Sequence, residues 1–374
     1  MKIAQLITRR ELRGAEVGAA DLCRSLTQRG HEVALIGLFS PLDRCDADYL
    51  GRDLAHVVDL TGPKTRGVRW SVFSALNKSL CRFRPDIIQA NAFNALKYAA
   101  ISKLVSRANW PLIYRNVGQA GLWITRPGQR LWGRLLLQQV DRVISVSDAS
   151  RKDFSRTYRI PAKEIVVMNQ GVVIPDNFSK QQWKQKLLDQ IGCPDDSHLL
   201  VHVGSFSQEK NHSGLLHAFA ETHKHHPNTR LILIGDGPLR SHIENDAETL
   251  QLSPRVHFLG AQAQAADLAG GADIMLISSH IEGIPGVLLE ACARAIPVIS
   301  TDVGGISSII QDRHNGILVP AGDMATLGTE TTALLSNPVL RERLGQKAHE
   351  LIRKSNDMEK FVDHYESIYN SLTL

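Results

Sequence analysis

Residues 274–291 read Ile274-Met275-Leu276-Ile277-Ser278-Ser279-His280-Ile281-Glu282-Gly283-Ile284-Pro285-Gly286-Val287-Leu288-Leu289-Glu290-Ala291. Four apolar residues make a short buried strand, a loop with two glycines follows, and Val287 to Ala293 reads as a helix. Gly283 and Gly286 let backbone approach a ligand closely. The amino end of the helix offers unpaired N–H groups to a phosphate. Pro285 has no N–H and removes one such donor. Glu290 is placed in the first helical turn, where its carboxylate can accept hydrogen bonds from paired hydroxyls. Glu282 faces the same ligand from the preceding loop.

Working outward, the same strand-then-helix rhythm fills the chain. Apolar strands are expected at Lys2 to Ile7, Val33 to Leu38, Asp86 to Gln89, Leu112 to Tyr114 and Arg142 to Val146, and again at Leu199 to Val203, Arg230 to Ile234, Val256 to Leu259, Ile274 to Ile277 and Pro297 to Ser300. Strands alternating with helices imply parallel sheets covered on both faces. Two such series predict an α/β protein of two doubly wound lobes facing a cleft. Turn-rich stretches at Pro175-Asp176-Asn177 and Gly192-Cys193-Pro194 mark the break. The expected division is 1–174, a linker over 175–197, and 198–357. The tail, Met358 to Leu374, carries Phe361, Tyr365, Ile368 and Leu372 on one side, an apolar stripe that needs a partner surface.

Charge divides at the same break. Residues 1–180 hold 28 lysines and arginines against 15 aspartates and glutamates, a balance of +13, and the remainder balances at −8, giving the chain its net +5. The first half is thus expected to meet something anionic, or else to present a solvated basic face. Arg126, Arg130, Arg134 and Arg142 accompany Trp123, Leu131, Trp132 and Leu135 to Leu137, the mixture of an interfacial helix on an anionic membrane surface. No run of 18 apolar residues crosses a bilayer. The apolar piece near the amino terminus is too short for a signal-peptide core, and five scattered cysteines without a CxxC pair indicate neither a disulfide framework nor a zinc site. A reducing cytosol is the expected compartment, and no nucleic-acid partner or metal is expected.

In open parallel sheets ligands sit beyond the carboxyl ends of the strands. Four further loops qualify. Gly204-Ser205-Phe206-Ser207-Gln208-Glu209-Lys210 follows a strand, and Lys210 can place a point charge on a diphosphate. Thr301-Asp302-Val303-Gly304-Gly305 follows another, its paired glycines suiting close approach to a phosphate or sugar. Arg13-Gly14-Ala15-Glu16 precedes the first long helix. Gly235-Asp236-Gly237-Pro238 reads as a plain turn.

These loops, with Arg29-Gly30-His31-Glu32-Val33, Arg84-Pro85-Asp86-Ile87-Ile88 and Asn315-Gly316-Ile317-Leu318-Val319-Pro320, resemble the retaining glycosyltransferases of family 4, with the two-Rossmann GT-B fold. The likeness spans nearly the whole chain, and it implies that the tail, 358–374, returns to the first lobe. It implies a nucleoside diphosphate sugar held by the C-terminal lobe, an acceptor held by the N-terminal lobe, and no metal or further cofactor. It places Glu290 on the ribose hydroxyls, Glu282 beside the transferred sugar, and Lys210 on the diphosphate with the backbone of Gly283, Ile284, Gly286 and Val287. Gly304 and Gly305 would line the donor, and Gly14 would admit the donor phosphate or the acceptor. The acceptor implied is a hydroxyl of a lipid-linked glycan in surface polysaccharide assembly.

Three departures stand out. Ser205 occupies the position where the family usually has arginine, and Ser308 one where it often has glutamate. No histidine lies between His56 and His198, although many members carry one after the strand ending here at Tyr114. Arg115-Asn116 follows instead. Arg115 would stabilise the leaving diphosphate, anchor an anionic acceptor, or serve as a structural ion pair. Two rivals remain at this level. A dinucleotide-dependent oxidoreductase needs Gly-x-Gly-x-x-Gly after a strand, which is missing. A non-catalytic transferase-like subunit, or a sugar-nucleotide-binding protein, is the alternative.

Overall fold

The computed structural model describes residues 1–12, 14–42, 44–60, 68–122 and 124–373, without the side chains of 44–46 and 122. Arg13, Trp123 and the Cys45 side chain therefore lie outside the described residues. The chain divides into two compact units, 1–171 with 358–374, and 172–357.

The first unit holds seven strands: β1 (Lys2–Ile7), β2 (Glu32–Gly37), β3 (His56–Asp59), β4 (Ile87–Asn91), β5 (Leu112–Asn116), β6 (Arg142–Ser145) and β7 (Ile165–Val167). All pair in parallel in the order 3-2-1-4-5-6-7. Among the described residues six helices connect them: α1 (Gly14–Gln28), α2 (Arg44–Gly51), α3 (Trp70–Phe83), α4 (Ala92–Ser106), α5 (Pro127–Leu137) and α6 (Asp148–Tyr158). Strand alternation sorts the core. Leu6, Ile88, Leu112 and Tyr114 face one side and pack on α3 to α6, while Ile3, Ile7, Ile87 and Ile113 face the other and pack on α1.

The second unit holds β8 (His198–Val203), β9 (Thr229–Ile234), β10 (Val256–Gly260), β11 (Ile274–Ile277), β12 (Val298–Thr301) and β13 (Ile317–Val319), parallel in the order 10-9-8-11-12-13. Its helices are α7 (Lys180–Ile191), α8 (His212–His225), α9 (Arg240–Thr249), α10 (Ala265–Gly270), α11 (Gly286–Ala293), α12 (Met324–Leu335) and α13 (Pro338–Ser355). The tail helix α14 (Met358–Thr373) belongs to the first unit. Its Phe361, Val362, Tyr365 and Tyr369 are buried with Ala19, Leu22 and Leu26 of α1.

Two expectations change. The stretch 175–197 is not a linker, because α7 fills most of it and buries Leu187 and Leu188 in the second unit's core with Leu268 and Ala269 of α10. That apolar pair outweighs the flanking turn composition. The pattern predicts no strand at the edge strands β3, β7 and β13. They are three or four residues long, too short to show a period.

Under α14, Gln5 Nε2 donates to Tyr369 Oη (2.9 Å), which donates to Gln89 Oε1 (2.8 Å). Gln89 Nε2 donates to Asn91 Oδ1 (3.1 Å), and Asn91 Nδ2 closes the ring on Gln5 Oε1 (2.9 Å). Each buried amide thereby finds partners, as low-dielectric surroundings demand.

Candidate functional site

In the second sheet the strand order reverses between β8 and β11, so the loops leaving these two strands part in opposite directions and leave a crevice at the carboxyl edge. The loop after β8 carries Lys210, and the loop after β11 carries Glu282. Lys210 Nζ donates to Glu282 Oε1 at 2.5 Å, and Ser279 Oγ donates to the same oxygen at 2.7 Å. The side chains are 21% and 9% exposed, so the pair opens on solvent at the ammonium. Backbone joins the two loops. Ser278 Oγ donates to Lys210 O (2.9 Å), and His280 N to Glu209 O (2.7 Å).

The loop after β12 closes on the same place. Thr301 Oγ1 donates to Ser279 O (2.7 Å), and Gly305 N donates to Gly283 O (2.7 Å). Gly304 stands at φ +63, and a Cβ added there would lie 2.0 Å from Glu282 O. Glycine is therefore obligatory for the contact. Lys210, Glu282, Gly283, Gly304 and Gly305 are brought together as a single constellation. Ser205 is exposed in the same β8 loop, its hydroxyl 3.4 Å from Ser207 Oγ.

Glu290 requires a correction. The helix α11 starts at Gly286 behind Pro285, which is extended at φ −69, ψ 129, and this makes Glu290 the fifth residue of the helix, not a first-turn residue. Glu290 is half-buried, one residue beyond the first turn.

Two buried histidines underlie the loop of Lys210. His202 Nδ1 donates to Leu276 O of β11 at 2.8 Å, and its Nε2 has no partner. His212 stacks on Phe206 (4.4 Å, 18°) and meets the His202 ring edge-on at 4.7 Å, with neither ring nitrogen paired. Burial, against the pull of the Leu276 carbonyl, pushes the His202 pKa down to about 4. Burial, with help from His202 and Lys210, pushes that of His212 to about 2. Both rings are neutral, so Lys210 is the cation of this corner. The sequence hinted at this cluster only through a histidine inside the apolar run of β8.

The remaining candidates lie in the first unit. Gly14 is the exposed first residue of α1. Arg115 does not open on a surface where a diphosphate could meet it. It is 1% exposed, its Nη2 lies 3.4 Å from Gln170 Oε1, and its guanidinium sits 5.9 Å from the Phe361 ring, all within the same unit. Asn116 is buried as well, donating to Ser145 Oγ (3.3 Å) and Ser150 O (3.4 Å). Strand alternation explains both corrections. Arg115 shares the face of Ile113 beneath α1 and α14, and Asn116 that of Tyr114 beside α6.

Residues 183–351 match the family described as Glycosyl transferases group 1, and residues 12–174 match Glycosyltransferase Family 4. The chain belongs to glycosyltransferase family 4. This family 4 chain is 32% identical over 211 residues to the N-acetyl-alpha-D-glucosaminyl L-malate synthase of Bacillus anthracis, covering 55% of each. It is 29% identical over 176 residues to the lipopolysaccharide core biosynthesis glycosyltransferase LpsE of Rhizobium meliloti, covering 47% of this chain and 51% of that one. The chain thus spans about half the length of these curated relatives. Anabaena HepE, solved in complex with UDP-glucose, superposes with a TM-score of 0.86 at 20% identity, over 99% of this chain and all of HepE. The fold is GT-B.

Proposed function

We propose that the chain transfers a hexose-type sugar from a nucleoside diphosphate sugar to a hydroxyl group, with retention at the anomeric carbon. The observation that carries this reading is the Lys210–Glu282 pair, held at 2.5 Å at the switch point of the second sheet and locked by Ser279. A diphosphate seated there draws the ammonium of Lys210 as counter-charge, and the N–H groups opening α11 add partial positive charge. Lys210 then shares its donors between phosphate and Glu282. The Glu282 carboxylate accepts hydrogen bonds from hydroxyls of the transferred sugar, and Glu290 those of the ribose.

In the reaction the bond from the anomeric carbon to the diphosphate oxygen breaks, and the acceptor oxygen bonds to that carbon on the same face. The acceptor proton passes to the departing diphosphate oxygen. No covalent nucleophile takes part, since Glu282 is held by Lys210 and Ser279, and catalysis is positioning with charge stabilisation. Lys210 and the helix end supply that stabilisation without a metal. The relatives in lipopolysaccharide core synthesis and the UDP-glucose held by HepE support a nucleotide-sugar donor and a lipid-linked glycan acceptor in surface polysaccharide assembly. Reversible attachment to an anionic leaflet through α5 belongs to the same reading, with the chain otherwise cytoplasmic. Among the described residues no helix is long and apolar enough to cross a membrane.

A thermal-shift screen of nucleoside diphosphates and their sugars tests the donor. A true ligand at a hundred times its Kd stabilises by roughly 2.7 kcal/mol. Donor turnover with an acceptor glycan, read by the anomeric coupling of the product, tests transfer and retention. Binding without turnover would leave a non-catalytic subunit, and an inverted product would overturn retention.

A further inference from the structure

At the amino-terminal edge of the first sheet, away from the carboxyl-edge loops, a cavity of about 700 Å³ opens between the ends of α5 and α6 and the start of β6. Leu137, Val143 and Ile160 give it an apolar floor, and Arg134, Arg142, Arg159 and Lys163 stand around it. Two carboxylates share the rim. Asp141 is already engaged by Lys103 Nζ (2.5 Å) and the Leu112 N–H (2.8 Å), leaving Glu164 against four cations. Arg134 spends its Nε on Tyr158 O (2.6 Å), while the buried Nε of Arg142 has no partner. The cavity is therefore amphiphilic and cationic.

What borders it identifies the occupant. The helix α5 buries Leu136 and Leu137 in the core but leaves Leu131 (61%), Trp132 (43%) and Leu135 (47%) exposed. Leu131 and Leu135 form one row along the helix, and Arg130, Arg134 and Gln138 the row beside it, so that the arginine row ends in the cavity. A free phosphate has no use for an apolar ridge on the helix that supplies part of its site. An anionic lipid uses both.

We propose that this cavity seats the phosphate headgroup of an anionic membrane lipid while Leu131, Trp132 and Leu135 enter the same leaflet. The inference rests on the peripheral attachment proposed above and adds to it a defined headgroup site. That site lies at the opposite edge of the sheet from the loops expected to handle the acceptor, so the lipid held there is an anchor and not the substrate.

The experiment is flotation of the full chain with phosphatidylcholine vesicles, with and without phosphatidylglycerol. The wild type is expected to float only with the anionic vesicles, and less at high salt. Arg159→Glu with Lys163→Glu changes two exposed side chains and should weaken partitioning at least roughly thirty-fold, counting only the two cations lost. Arg142→Gln, which removes the charge and keeps a polar head, should weaken it as well, with melting temperatures unchanged in both. If both variants float like the wild type while Leu131→Ser with Leu135→Ser does not, the headgroup site is wrong and peripheral attachment stands. A wild type that floats with neither vesicle overturns both. Stabilisation of the wild type but not of Arg142→Gln by glycerol 3-phosphate, without flotation, makes the ligand a soluble phosphate and overturns the lipid.

Discussion

Acid should unfold the second unit through the two histidines beneath Lys210. An unfolded histidine titrates near 6.5, whereas folding holds His202 near 4 and His212 near 2. Between these limits the unfolded chain binds more protons than the native one, so stability rises with pH and is lost as pH falls below 6.5. Each group taken from pH 7 to 5 forfeits roughly 2 kcal/mol, and the pair roughly 3–4 kcal/mol, a large part of a typical folding stability. His198, His223 and His257 are displaced downward too, mainly by burial, and steepen the same slope. The discriminating perturbation is therefore a difference. His212→Phe keeps a ring against Phe206 and removes one titration, so its loss between pH 7 and 5 should be smaller than the wild type's by about 2 kcal/mol. Urea unfolding monitored by circular dichroism at half-unit pH steps measures both slopes. Parallel slopes for wild type and variant would mean that His212 is not buried as a neutral ring, and the account of this corner would fail.

Three further outcomes follow from the geometry. Lys210→Ala should lower turnover of donor by about a hundred- to a thousand-fold, the loss typical of one preorganised charge-stabilising donor, with a smaller effect on folding, since Glu282 loses its cation but keeps the Ser279 hydroxyl as donor; parental rates would remove it from the site. Gly304→Ala should destabilise the second unit by at least about 2 kcal/mol in urea, since it combines φ +63 with a Cβ 2.0 Å from Glu282 O; a neutral result would show that the β12 loop does not pack as described. Tyr369→Phe should lower the first unit's unfolding free energy by about 2 kcal/mol, because Gln5 and Gln89 each lose a buried partner; an unchanged midpoint would mean the ring is not closed.

The legible part of the molecule was the part that repeats. Central strands are apolar runs of four to six residues, and the loops leaving β8 and β11 carry glycine with a lysine in one and a glutamate in the other, so both sheets and the convergence of Lys210 with Glu282 could be expected from pattern. The topology then adds what pattern lacks. A strand order that reverses between β8 and β11 brings together residues 72 positions apart. Glu290 stands one position deeper in α11 than the pattern predicts, because the start of the helix is set by the extended backbone of Pro285 rather than by a side-chain cap. Arg115 shows where charge misleads. An arginine at a strand's carboxyl end reads as ligand-facing, but alternation gives it the face of Ile113, and only the return of α14 seals that face with Phe361 and Tyr365. An unpaired guanidinium nitrogen in such a place is costly, and the same tail that covers it also brings Tyr369 to complete the Gln5–Gln89–Asn91 ring. The tail helix therefore closes a polar interior that the first 171 residues leave open, which is why an amphipathic segment at the end of the sequence is structurally part of its beginning.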